Sequence, residues 1–77
     1  MSKIDPTGKL PPYRQLAAIV AGRIESGEYP RGSRLPSEAD FMEEFELGRS
    51  TVRRAMGWLR EQGLAETVPT RGTYVAE

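Results

Sequence analysis

The sequence predicts a mainly α domain with a small β-hairpin: three helices, then two short strands. Apolar residues recur at helical spacing in three separate stretches, each bracketed by proline, serine or glycine. After Gly63 that spacing stops, and the β-branched and aromatic run Thr73-Tyr74-Val75 follows a Pro69-Thr70-Arg71-Gly72 turn. At 77 residues the chain has room for one domain with a modest core.

Residues 1–10 are polar, include Pro6 and Gly8, and show no periodicity, so a flexible lead-in is expected there and the domain proper over 11–77. Pro11-Pro12 opens helix one, because proline is tolerated in a first turn. Tyr13, Leu16, Ile19, Val20 and Ile24, with Ala17, form its apolar face; Arg14, Ala18, Gly22 and Glu25 lie opposite. Gly27, after Ser26, is its stop. Residues 27–36 are dense in breakers and read as a connection, with a short extended piece at Arg34-Leu35.

Ser37 caps helix two: its hydroxyl can accept from a free backbone N–H, and Asp40 stands three residues on in a capping-box position. Phe41, Met42 and Phe45 are the stripe this helix buries. After a short break at residues 46–48, helix three runs over 49–62 and ends at Gly63. At about 100° per residue, Val52, Ala55, Met56 and Leu59 fall within about 100° of arc. Ser50, Arg53, Arg54, Gly57 and Glu61 fall on the other side. Two helices joined by a few residues, the second with an open polar first turn, make a helix-turn-helix. The closing hairpin is marginal in water by itself, so it must lean on the helices, through Leu64, Val68, Tyr74 and Val75. The expected architecture is a winged helix-turn-helix.

Charge is distributed unevenly. Eleven basic residues balance eleven acidic ones. Yet residues 38–46 hold five acids and no base, and residues 47–60 hold four arginines and no acid. Such segregation leaves a basic patch that can attract phosphates although the net charge is zero. The chain has no cysteine and no histidine, which removes disulfides, thiolate metal sites and the commonest general base. It has no P-loop, no G-x-S-x-G, no H-E-x-x-H and no dinucleotide fingerprint. Neither an enzyme, nor a cofactor, nor a metal is expected. No apolar run approaches the roughly 18 residues of a membrane span, and no signal-peptide core is present, so a cytoplasmic protein with no membrane partner is expected.

The candidate chemistry sits at the start of helix three. Gly48 is at the N-cap, and Arg49, Ser50 and Thr51 fill the first turn, where unpaired N–H groups favour phosphate. Arg49 can meet a phosphate or chelate guanine O6/N7, a contact worth roughly 1–3 kcal/mol of base discrimination. Arg53 follows one turn later on the open face. Arg54 points about 100° further round, where either nucleic acid or an acid of helix two could hold it. Arg60, in the last turn, complements the helix dipole and reads as structural. Gly57 allows close approach of another molecule's backbone or is simply tolerated. Arg71-Gly72 at the hairpin tip can project an arginine into a narrow minor groove. Trp58 lies outside the core stripe, so it covers the hairpin or offers a handle to a partner protein. The alternative to DNA binding is a winged helix that docks proteins through Trp58 and the arginines.

Taken together, PPYRQLA, SGEYPRGSRLPSEADF, GRSTVRRAMGWLREQGL and TRGTYV resemble the N-terminal DNA-binding domain of the GntR family of bacterial transcription regulators, over nearly the whole chain. The resemblance implies sequence-specific binding of double-stranded operator DNA, by a repressor, with helix three in the major groove and the wing in the minor groove. It implies contacts from Arg49, Ser50, Thr51 and Arg53, and from Arg71 and Gly72, with Ser37 and Glu38 organising the start of helix two. The candidate DNA-facing set is therefore Ser37, Arg49, Ser50, Thr51, Arg53, Arg54, Arg71 and Gly72. It also implies a homodimer on a near-palindromic site, and a small-molecule effector only through a C-terminal domain outside this chain. The chain departs from the commoner family pattern at Ala39, where many members carry a basic residue, and at Gly48, where a hydroxyl cap is usual. It departs again at Arg54 and Gly57.

Overall fold

Helix α1 (Pro12–Glu25) begins where Pro11 holds extended backbone and Pro12 occupies the first turn, with no capping side chain. It ends at Ser26, followed by Gly27 in the left-handed region at φ 89°. The computed structural model describes residues 4–77. Of the expected lead-in, residues 1–3 lie outside the described residues. The remainder has contacts that the sequence does not announce. Gln15 uses both ends of its amide: its Oε1 accepts from the Asp5 N–H (2.7 Å), and its Nε2 donates to the carbonyls of Asp5 and Leu10 (both 2.7 Å). Ile4 packs against the core.

Helix α2 (Glu38–Phe45) starts with the expected capping box. Ser37 Oγ accepts from the Asp40 N–H, and Asp40 Oδ2 accepts from the Ser37 N–H, both at 3.1 Å. Two otherwise orphaned donors are satisfied this way. The helix stops at Glu46, which takes a left-handed conformation at φ 56° without being glycine, while the Leu47 N–H closes on the Met42 carbonyl (3.2 Å).

Helix α3 (Arg49–Glu61) has Gly48 as N-cap and ends in a Schellman motif. Leu64 N–H reaches the Leu59 carbonyl and Gly63 N–H the Arg60 carbonyl, both at 3.0 Å, with Gly63 at φ 77°. Strands β1 (Ala65–Val68) and β2 (Gly72–Val75) then pair antiparallel, Ala65 opposite Val75 and Val68 opposite Gly72.

The extended piece expected at Arg34-Leu35 does more than connect. It runs along the free edge of β2: Leu35 N–H donates to the Thr73 carbonyl (2.9 Å), Val75 N–H to Ser33 (2.8 Å), and Gly32 N–H to Val75 (3.0 Å). Strand β2 is therefore hydrogen-bonded on both sides, and the loop before α2 is stitched to the wing.

One core assignment is corrected. Leu64 and Val75 lean on the helices as expected, but Val68 and Tyr74 do not join the core; Ala65 does. The reason is the two-residue period of a strand, which puts Tyr74 and Val75 on opposite faces. The core itself joins Leu16 and Val20 of α1, Phe41 of α2, Val52 and Leu59 of α3, and Leu35 of the connection. Met42, assigned to the buried stripe, is only half-buried.

Candidate nucleic-acid interface

The first turn of α3 is open. Gly48 supplies no side-chain cap, so the N–H groups of Arg49, Ser50 and Thr51 have no partner within the helix. Arg49 and Arg53 stand four residues apart, on one face of the helix, and more than half of each side chain is exposed.

Both arginines turn to the same acid. Glu38, the first residue of α2, accepts from Arg49 Nη1 (2.9 Å to Oε1) and from Arg53 Nε (3.1 and 3.0 Å to its two oxygens). Glu38 is placed there by the Ser37–Asp40 capping box that brackets it. Partial burial pushes its carboxyl up, but the Arg53 and Arg49 guanidiniums outweigh that and leave it below the usual carboxylate range. Arg53 spends only Nε on this pair, so its terminal amino groups keep their donors available among the described residues.

Arg54 departs from one of its two expected settings: it meets no acid of α2. Its guanidinium lies over the Tyr13 ring of α1, 4.2 Å from the centroid. The 100° step from Arg53 carries it past α2 and onto the start of α1. Pro12, Tyr13, Ser50, Thr51 and Arg54 border one shallow depression there. Trp58 is half-buried against the core, and Arg14 of α1 stacks on its ring at 4.6 Å. Arg60 donates to Thr67 Oγ1 (3.1 Å), fastening α3 to β1.

The acids of α2 divide. Glu38 serves α3, whereas Glu44 serves α1, accepting from Arg23 Nη2 at 2.6 Å. Arg23 also donates to the Tyr29 hydroxyl (2.7 Å). Its hydrogen bond to Glu44 is the chief reason its pKa is raised, and the same bond lowers that of Glu44.

The wing turns through Pro69 and Thr70, with Arg71 N–H donating to the Val68 carbonyl (3.0 Å). Thr70 has φ 62°, a conformation that costs a β-branched residue energy. Gly72 is favoured by its backbone conformation. Its φ is 125°, and a Cβ there would sit 3.0 Å from Arg34 Nε. Arg71 is exposed and has no side-chain partner among the described residues. Arg34 is absent from the sequence-predicted set, although a short extended piece is expected at Arg34-Leu35. Arg34, Ser37, Glu38 and Gly72 border a single cleft, which brings the start of α2 and the base of the wing together. Ser37 keeps its hydroxyl proton available there, since the cap uses only its lone pair.

Residues 12–75 match the family described as bacterial regulatory proteins, gntR family. The chain belongs to that family. It is 41% identical, over 70 residues, to the mannosyl-D-glycerate transport/metabolism system repressor MngR of Escherichia coli (strain K12), covering 91% of this chain and 29% of that protein. It is 40% identical, over 67 residues, to the uncharacterized HTH-type transcriptional regulator YdfD of Bacillus subtilis (strain 168), covering 87% of this chain and 14% of that one. The chain thus spans less than a third of these curated relatives. Among solved structures, it superposes on AraR(DBD) in complex with operator ORE1 with a TM-score of 0.84 at 36% identity, covering 87% of this chain and 82% of the other. The winged helix-turn-helix of this gntR-family chain is the fold of that domain. No described helix is long and apolar enough to cross a membrane.

Proposed function

We propose that this chain is the operator-reading domain of a bacterial transcription repressor, acting in the cytoplasm on double-stranded DNA and carrying out no catalysis. The reading rests above all on Arg49 and Arg53, exposed one turn apart at an uncapped start of α3. The likeness to AraR(DBD), solved with its operator, and to a named repressor supports it. Helix α3 enters the major groove by its N-terminal turns, presenting Arg49, Ser50, Thr51 and Arg53 to base edges and phosphates. Arg54 and Ser37 meet phosphates on either flank. Arg71, lifted by Gly72, follows the adjacent minor groove. The functional unit is a homodimer on a near-palindromic site, and a small-molecule effector acts only through a further domain.

Selection from a random duplex pool tests this directly. A recovered, palindromic motif bound with a steep salt dependence, about 0.9 per phosphate contact in a log–log plot, supports the reading. No enrichment and a flat salt response would instead favour a protein-docking winged helix.

A further inference from the structure

The acid at the head of α2 stands where an acid is least expected on a phosphate-binding surface. Glu38 lies against Arg49 and Arg53 of α3, and it is bonded to both. Exposed ion pairs of this kind add little to folding stability. Placing a carboxylate beside phosphates also weakens general attraction to DNA. Its bonding pattern gives it another use. Arg53 shares its single Nε–H between both carboxylate oxygens, which restrains the guanidinium beside Glu38 while its terminal amino groups take no part in the pair. Arg49 is held by one amino group at 2.9 Å. The grip is itself held, because Glu38 follows directly on the Ser37 cap.

We infer that Glu38 is a positioning residue for base recognition: it presents Arg53 and Arg49 in fixed orientation to a guanine in the major groove, and restrains both from random phosphates. The inference rests on the DNA-binding reading above. A guanine offers two acceptors, O6 and N7, at a fixed separation, so a guanidinium of set orientation gains on it without losing side-chain freedom. A backbone phosphate presents no such fixed pair and must compete with Glu38 for the same donors.

The test compares the duplex recovered by selection with a random duplex, using the whole chain. In Glu38→Gln, affinity for the random duplex rises and its salt slope steepens by about one, because a released arginine neutralises a further phosphate. Preference for the selected duplex falls on the order of tenfold, and repeated selection shows weakened guanine positions. Glu38→Asp retains the charge but is one methylene too short to span both guanidiniums; its preference falls too. Should Glu38→Gln lose its circular dichroism, Glu38→Asp alone carries the decision. Glu43→Gln, which removes an equal charge from the exposed face of the same helix, leaves the preference unchanged. Wild-type preference in both Glu38 variants, or an equal loss in Glu43→Gln, overturns the inference. A wild-type chain that does not distinguish the two duplexes overturns the DNA reading beneath it.

Discussion

The two arginine-bearing regions of the molecule are built on opposite plans. On the α2–α3 edge, Arg49 and Arg53 are tethered to one carboxylate that a capping box holds in place. On the wing, Arg71 has no side-chain partner among the described residues and stands on a turn with two positive-φ residues, Thr70 and Gly72. Holding a guanidinium in advance removes part of the rotamer entropy it would lose on binding, up to about 2 kcal/mol for a free arginine. Under the proposed function, the tethered helix pair supplies discrimination and the untethered wing cation supplies general attraction.

Substituting one arginine from each region would break this comparison if it is wrong. Arg49→Ala is expected to reduce preference for a selected duplex by about 2 kcal/mol, roughly thirtyfold. The fold should survive, as judged by circular dichroism, since Arg53 still occupies Glu38. Arg71→Ala is expected to weaken binding severalfold and almost equally for selected and random duplexes, lowering the salt slope by about one. Equal effects of the two changes on preference would show that the tether makes no difference.

The sequence exposed the frame more readily than the pairings across it. Helix limits, the Ser37–Asp40 box and the glycine stops are local events, set by a few neighbouring residues, and so are legible along the chain. The matches of Arg14 to Trp58, Arg54 to Tyr13 and Arg23 to Glu44 depend on how α1 lies against the other helices. No local pattern states that. The acids of α2 could be expected to meet arginines, but not that one would serve α3 and another α1. Arg34 escaped notice because its importance comes from contact with Gly72, distant in sequence.

Acid titration sharpens the contrast between the two acids of α2. The carboxyls of Glu38 and Glu44 both lie below the ordinary 4.5. A carboxylate with a lowered pKa binds fewer protons in the folded state, so its contribution is complete above about 4.5 and drains as the pH falls through the folded value. Thermal stability is therefore expected to hold between neutrality and the top of that window, then decline. Glu44→Gln should lower the plateau and flatten part of the decline, because it removes the Arg23 pair that joins α1 to α2. A melting curve series in which that variant retains the full acid loss would assign the loss to other groups.

The smallest expected effect concerns the middle of α3, beyond the tethered arginines. Gly57 is helical, and among the described residues a Cβ there would meet only Arg60 Nη2, at an ordinary 3.7 Å. Nothing among the described residues requires glycine at that place. Gly57→Ala should therefore raise stability by up to about 1 kcal/mol, through the lower helical propensity that glycine carries. If DNA is read by the first two turns of α3 alone, duplex affinity and preference stay unchanged as the melting temperature rises. A variant that is more stable yet binds DNA less well would show that the duplex backbone approaches α3 as far as Gly57. The reading surface would then extend past Arg53 along the helix, and the tethered pair would be only its leading edge.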